Sequence, residues 1–175
     1  MEQQSVAVLE IGFGTGLNSF ITLLEAEQKK QFVDYVGVEA FPISLEERKS
    51  LNYVSELNAI AFEKEFEQLH HSPWEEQVQV SPYFSLTKRQ QYFNEIYYKN
   101  RFNLIYFDAF GFQVQPELWT VEIFKIMYEA LQDKGVLVTY ACRTSIIKAL
   151  REPGFETEKL KGPPGKREML RAVKK

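Results

Sequence analysis

The feature that most constrains this chain is a short apolar run followed at once by a glycine-rich turn and an amphipathic stretch. Residues 5–10 predict a buried strand, and residues 17–28 carry apolar side chains at helical spacing. Between them stand Gly12, Gly14 and Gly16, and glycine lets a chain turn tightly and a ligand approach the backbone. Strand, turn and helix in that order are typical of the first unit of an α/β nucleotide-binding fold.

Apolar runs and amphipathic stretches alternate along the rest of the chain. Further strands are predicted at residues 32–39, 77–80, 102–108, 136–140, 155–160 and 168–173. Further helices are predicted after a capping Ser44 and at residues 63–71, 88–98, 117–130 and 144–150. Five βα units and a terminal hairpin make an α/β fold with a seven-stranded, mostly parallel sheet. At 175 residues and 45% hydrophobic content, we expect one domain spanning residues 1–175.

Composition argues against several classes of function. The single cysteine, Cys142, has no partner for an internal disulfide, and His70 and His71 are the only histidines, so no metal site is expected. The two histidines are interpreted as surface residues of a helix and Cys142 as a small buried side chain. No window reaches the roughly 18 to 20 apolar residues that a membrane span needs, and residues 1–5 lack a signal-peptide pattern. A cytoplasmic protein is the expectation, and the oligomeric state is left open.

Charge is distributed unevenly along the chain. Residues 1–142 hold 11 Lys and Arg against 20 Asp and Glu, whereas residues 143–175 hold 10 against 4. A basic segment of this kind suits a phosphate backbone, and it also suits an ordinary solvated surface. The composition leaves both interpretations open.

Three carboxylates stand at the predicted ends of strands, where ligands bind in an open parallel sheet: Glu10, Glu39 and Asp108. The third glycine comes one position earlier than in the dinucleotide fingerprint, and Leu17 occupies the sixth place. Glu10 would also repel a pyrophosphate. The spacing therefore favours S-adenosylmethionine (SAM) over NAD. Glu39 lies where a carboxylate can accept both ribose hydroxyls of an adenosine.

Six segments, in order along nearly the whole chain, resemble one family. They are Leu9-Glu-Ile-Gly-Phe-Gly-Thr-Gly-Leu-Asn18, Val38-Glu-Ala-Phe-Pro42, Tyr106-Phe-Asp-Ala-Phe110, Pro116-Glu-Leu-Trp119, Leu137-Val-Thr-Tyr140 and Gly165-Lys-Arg-Glu-Met169. They are similar to the methyltransferase domain of the MnmC family, which modifies the wobble uridine of tRNA.

The resemblance implies a class I, Rossmann-like, SAM-dependent methyltransferase in a stand-alone form without the FAD-dependent oxidase domain. The implied reaction is N-methylation of 5-aminomethyl-2-thiouridine in the anticodon stem-loop of tRNA, giving 5-methylaminomethyl-2-thiouridine. The cofactor-binding residues expected on this basis are Glu10, Gly12, Phe13, Gly14, Gly16, Asn18, Glu39, Ala40 and Asp108. Many relatives place a Gly-Asp pair after the third strand for the adenine, whereas the predicted strand here ends in Val80-Ser-Pro82.

Asp108 is the predicted catalytic residue, because a carboxylate near a protonated amine can hold it and take a proton. Phe110 and Phe112 are candidates to stack on a flipped-out base, while Trp119 is expected in the core. Basic residues expected to contact RNA phosphates are Lys159, Lys161, Lys166, Arg167 and Arg171. Two alternatives stand beside this interpretation: a SAM methyltransferase acting on a small molecule or protein, and a degenerate SAM-binding domain.

Overall fold

A computed structural model describes residues 5–162, 164–165 and 167–175. In these ranges the strands are β1 Val6–Ile11, β2 Val33–Glu39, β3 Gln77–Ser81, β4 Phe84–Gln90, β5 Phe102–Phe107, β6 Leu131–Thr139, β7 Glu156–Lys161 and β8 Glu168–Val173. The α-helices are α1 Leu17–Lys29, α2 Leu45–Lys49, α3 Tyr53–Glu56, α4 Glu63–His71, α5 Val121–Ala130 and α6 Thr144–Arg151. Three single 3-10 turns lie at Ile60–Phe62, Phe93–Glu95 and Pro116–Trp119.

All eight strands form one sheet in the order β3-β4-β2-β1-β5-β6-β8-β7. The central five strands are parallel, and antiparallel pairs close both edges: β3 on β4, and β8 with β7 beside β6. The chain order reverses between β1 and β5, so the carboxyl ends of these two strands form the switch point at which open α/β sheets bind ligands. The α/β, Rossmann-like prediction with a C-terminal antiparallel hairpin is confirmed.

Helices cover both faces of the sheet, as a parallel sheet requires. One core cluster packs α1 and α4 on one face through buried residues such as Phe20 and Leu69. The other packs α5 and α6 on the opposite face through Phe124 and Leu150. The inner strands β1 and β2 are thereby covered on both sides, which explains why most of their residues are apolar.

The predicted count of seven strands was one short, because the segment assigned to a helix at 88–98 begins as strand. Residues Phe84–Gln90 pair in parallel with β2, and the earlier strand Gln77–Ser81 is an extra antiparallel neighbour. Only Phe93–Glu95 is helical in the described part of 88–98, as a single 3-10 turn. The polar residues of β4 misled the prediction: Lys88 lies in mid-strand, and pairing with β2 outweighs local helical spacing. The third parallel strand therefore ends at Gln90 rather than at Val80.

Two other boundaries differ from the prediction. The helix predicted at 117–130 begins at Val121, because Thr120 is extended and its hydroxyl accepts a hydrogen bond from the Ile123 N–H at 3.5 Å. The strand predicted at 136–140 begins at Leu131, since the chain becomes extended immediately after the helix. By contrast, Ser44 caps α2 in the predicted capping box with Glu47. The local sequence therefore predicted the cap at Ser44 correctly, but neither the start of α5 nor the start of β6.

Candidate functional site

The glycine turn between β1 and α1 depends on backbone angles that favour glycine. Gly12, Gly14 and Gly16 have φ values of 90°, 50° and 77°. A Cβ on Gly12 would lie 2.7 Å from the carbonyl oxygen of Asp108, so the turn packs directly against the end of β5. The N–H groups of Gly12 and Phe13 both donate to the Val38 carbonyl at 3.0 Å. The turn is thus held against the ends of β2 and β5, beside the switch point.

Glu39, at the end of β2, is held in a defined orientation by the turn. One carboxylate oxygen accepts the Gly14 N–H at 2.9 Å, and the other accepts the Phe41 N–H at 3.0 Å. Its side chain lines the cavities at the strand ends, and the residue is 8% exposed. A carboxylate oxygen can accept more than one hydrogen bond, so both Glu39 oxygens can still accept a hydrogen bond from a ligand.

A hydrogen-bonded network, buried at Glu10 and exposed at Asp108, joins the other two strand-end carboxylates. The Asn18 amide donates to Glu10 and to Asp108, both at 2.9 Å, and the Tyr35 hydroxyl donates to the second Glu10 oxygen at 2.8 Å. Burial raises the pKa of Glu10 to about 8; the hydrogen bonds from Asn18 and Tyr35 oppose this, and the Asp108 and Glu39 charges add to it. Glu10 is 1% exposed, whereas Asp108 reaches the surface. The two acids therefore have different environments within one network.

Two adjoining cavities lie over this edge of the sheet. One, of about 280 Å³, is lined by Glu10, the glycine turn, Asn18 and Asp108. The other, of about 400 Å³, is lined by Ala40, Phe41, the 92–95 segment and the loop around 115–118. Glu39, Phe93 and Phe110 line both. Together they have the size of a small-ligand site, and carboxylates line both cavities: Glu10, Glu39 and Asp108 the first, and Glu39, Glu95 and Glu117 the second.

Of the predicted cofactor-binding residues, all but Gly16 line the two cavities, and one qualification concerns Phe13. Its ring is 5% exposed and packs over Gly37, where a Cβ would lie 2.4 Å from the ring, and edge-on to Trp74. The Phe13 side chain packs mainly in the core, although the residue also lines the smaller of the two cavities. Ala40 lines the larger cavity directly after Glu39.

The loop after β5 presents one of the two predicted stacking aromatics to solvent. Phe110 is 62% exposed, and its carbonyl accepts the Trp119 indole N–H at 2.8 Å. Trp119 is 3% exposed and lies in the core, as predicted. Phe112 packs partly against the core, with the Arg143 guanidinium 5.3 Å from its ring centre. Phe110 is thus better placed than Phe112 to meet a flat ligand at the cavity mouth.

The β7–β8 hairpin projects past the same edge of the sheet, because Thr139 at the end of β6 pairs with Leu170. Two of its predicted RNA contacts are ion-paired within the hairpin, Lys159 with Glu168 at 2.9 Å and Arg171 with Glu158. Lys161 and Arg167 are exposed near the hairpin loop. The predicted contact Lys166 lies outside the described residues.

Sequence reasoning missed two residues at this edge. Tyr35 was read only as part of a strand, although it lies on β2 opposite Val8 and reaches Glu10. Lys88 was assigned to a polar helix, yet it is 2% exposed and donates to the His70 carbonyl at 2.8 Å. His70 itself is half-buried against the turn rather than a surface residue, with its ring 3.4 Å from the Cβ position of Gly16. No local sequence signal reports such long-range contacts.

Within the described ranges, no group of three or more His, Cys, Asp or Glu side chains is arranged to hold a metal ion. The same part of the chain holds no helix with the length and apolar character that crossing a membrane requires.

Comparison with known proteins gives consistent results. Residues 64–175 match the family described as S-adenosyl-L-methionine-dependent methyltransferase. The bifunctional protein MnmC of tRNA 5-methylaminomethyl-2-thiouridine biosynthesis from Idiomarina loihiensis is 26% identical over 180 residues, covering 95% of this chain and 29% of the relative. The protein of the same name from Leptospira interrogans is 28% identical over 176 residues, covering 96% and 27%. The chain therefore spans less than a third of these relatives.

Solved structures share the fold. MNMC2 from Aquifex aeolicus superposes with a TM-score of 0.70 at 24% identity, covering 98% of this chain and 54% of that one. An S-adenosylmethionine-dependent methyltransferase from Listeria monocytogenes, itself described as putative, superposes at 0.58 with 13% identity, covering 100% and 93%.

Proposed function

Because the chain belongs to the S-adenosyl-L-methionine-dependent methyltransferase family, we propose that it methylates the primary amine of 5-aminomethyl-2-thiouridine at the tRNA wobble position. The observation that carries the proposal is the position of Asp108. Asn18 links this carboxylate to the buried Glu10, and Asp108 lines the same cavity as the exposed Phe110. A carboxylate meets solvent there at the mouth of the cofactor cavity. The tRNA substrate is proposed from relatives of which this chain spans less than a third, and a cytoplasmic location belongs to the same proposal.

The residues at the strand ends fit SAM. Glycines at positive φ leave room for the cofactor against the backbone, and Glu39, oriented by two backbone N–H groups, suits the two ribose hydroxyls. The Asp108 carboxylate lies in the cavity that suits the cationic methionine end, and Glu10, whose pKa burial raises to about 8, lines the same cavity mostly in its neutral form at pH 7. The aromatic rings of Phe41 and Phe93 in the second cavity suit the adenine. When bound, the cofactor supplies an electrophilic methyl group on a sulfonium.

The role of the chain's own residues is then positioning and proton transfer. A primary alkylamine is largely protonated at neutral pH, and Asp108 accepts a hydrogen bond from it and takes its proton toward solvent. Asn18, bonded to Asp108, limits the rotation of that carboxylate. Phe110 provides an apolar face for the uracil ring and excludes water from the reacting nitrogen. Orientation is the main contribution of the site.

A paired set of variants tests the proposal. Asp108→Ala should lower methyl transfer to hypomodified tRNA at saturating SAM by about 10²-fold to 10⁴-fold, and this loss should exceed any loss of SAM affinity, because Asp108 also lines the cofactor cavity. Glu39→Ala should weaken SAM binding, measured by calorimetry. Its turnover with both SAM and RNA at saturation should remain largely intact. Full turnover in Asp108→Ala would remove that residue from the mechanism. Methylation of a small molecule or protein, but not of tRNA, would favour the first alternative substrate class.

A further inference from the structure

A third cavity, of about 200 Å³, adjoins the glycine turn and has no role in the reaction proposed above. It shares Gly14 with the cofactor cavity and lies between the loop after β2, α2, the end of α4 and β4. Its walls combine aromatic rings with basic side chains: Phe13, Trp74, Arg48, His70 and Lys88. None of the described residues that line it carries a carboxylate.

Lys88 contributes a buried positive charge to this cavity. It occupies mid-strand in β4, opposite Gly37, with its ammonium 5.0 Å from the centre of the Trp74 ring. Among the described residues, the His70 carbonyl is its one hydrogen-bond acceptor, at 2.8 Å. An ammonium has three N–H donors, so this leaves donors for a ligand. Burial, and then the charge of Arg48, lowers the pKa of Lys88 to about 8, which leaves it mostly cationic at neutral pH.

Arg48 adds a second positive charge without a balancing acid. Its guanidinium donates to the His71 ring at 3.0 Å and forms no ion pair with any described residue. Burial, and then the charges of Lys88 and Arg48, lowers the pKa of His70 to about 4, so that ring is neutral at pH 7. Two cations facing one cavity disfavour each other, and Lys88 is buried without a counter-charge among the described residues, which destabilises the fold. An anionic ligand would compensate both.

We propose that this cavity binds a phosphate group and, resting on the proposed tRNA function, that its occupant is a backbone phosphate of the RNA substrate. A guanidinium fork and an ammonium are the side chains that proteins use for phosphate oxygens. The cavity lies at the β2–β4 side of the carboxyl edge, whereas exposed Lys161 and Arg167 lie at the β6–β8 side. The two basic regions flank the cofactor cavity and hold the RNA on both sides of Asp108.

Direct RNA binding by substituted proteins tests the assignment. The variant is Arg48→Gln, with Arg48→Lys to restore the charge and Lys49→Gln as the control, because Lys49 is exposed on the same helix and does not line the cavity. The probe is a fluorescent anticodon stem-loop RNA, titrated at about 50 to 200 mM salt. Calorimetry with SAM on each protein shows whether the cofactor site is intact.

Arg48→Gln should weaken RNA binding about tenfold at the lowest salt and reduce the slope of log affinity against log salt by about 0.7 to 0.9. Arg48→Lys should recover part of the loss, and Lys49→Gln should change affinity less than about twofold. SAM affinity should not change. An equal effect of Arg48→Gln and Lys49→Gln would overturn the assignment. A loss of SAM affinity in Arg48→Gln would also overturn it, since the cavity would then hold the cofactor carboxylate.

Inorganic phosphate separates failure of this proposal from failure of the tRNA function. If the unsubstituted protein binds no RNA, the proposed function fails and with it the RNA occupant. Phosphate binding that Arg48→Gln abolishes, measured by calorimetry, would then still support a phosphate site. Absence of both RNA and phosphate binding would overturn the site altogether.

Discussion

Replacing Glu10 with glutamine should change how the stability of the protein depends on pH. Glu10 is 1% exposed, and its carboxyl is bonded to Asn18 and Tyr35. Glutamine has the same shape and an oxygen to accept from Asn18, but its amide can only donate to the Tyr35 oxygen, which reverses the hydrogen bond that Tyr35 donates to Glu10. Glu10→Gln therefore removes the titration at a cost in free energy that does not depend on pH.

The magnitude follows from the pKa of Glu10, which burial raises from 4.5 to about 8 in the folded protein. Between these values the folded state holds a proton that the unfolded state has lost, so the free energy of unfolding falls as pH rises. The proton on Glu10 contributes its full stabilisation below the pKa of the unfolded state, and this stabilisation is lost as pH rises through the pKa of the folded state. Its slope is about 1.4 kcal/mol per pH unit, so Glu10 accounts for a loss of about 3 kcal/mol between about pH 5.5 and about pH 7.5.

Urea unfolding across this pH range measures the effect. The difference in unfolding free energy between Glu10→Gln and the unsubstituted protein should move by about 3 kcal/mol in favour of the variant as pH rises. Glu25→Gln is the control, since the Glu25 side chain is 54% exposed and should leave the slope unchanged. Parallel pH profiles for Glu10→Gln and the unsubstituted protein would refute the reasoning that burial raises this pKa.

Two further predictions concern the turn and its network. Gly12→Ala should destabilise the protein by about 1 to 3 kcal/mol more than Gly165→Ala in urea unfolding, because both have φ near 90° but only the Gly12 Cβ would meet a backbone oxygen. Equal destabilisation by the two substitutions would show that the positive φ, and not contact with the Asp108 carbonyl, sets the loss of stability. Asn18→Ala should lower turnover at saturating SAM about tenfold or more, since Glu10 and Asp108 lose their shared donor. Unchanged turnover with weakened SAM affinity would instead make Asn18 a cofactor ligand only.

Local signals explain what the sequence could predict. Glycines at positive φ, a continuous apolar strand and a capping box each depend on residues close together in the chain, and they located β1, α1 and the cap at Ser44. The carboxyl edge of a parallel sheet then follows from topology, which is why Glu10, Glu39 and Asp108 were predicted to meet.

The errors arose where distant contacts override local pattern. Lys88 interrupts an apolar alternation, and only its hydrogen bond to the His70 carbonyl explains a charge in the middle of a buried strand. The same misassignment hid the third cavity and the eighth strand. Likewise, spacing alone could not show that Lys159 and Arg171 are paired with acids across the hairpin, because strand register decides those contacts.

Methyl transfer to hypomodified tRNA is the direct test of the proposed N-methyltransferase activity. The purified chain is incubated with radiolabelled SAM and tRNA carrying 5-aminomethyl-2-thiouridine, and the wobble nucleoside is then analysed by mass spectrometry. We expect one methyl group on the exocyclic amine of that nucleoside, present with the unsubstituted protein and lost with Asp108→Ala. Tight SAM binding without methyl transfer to this tRNA would contradict it.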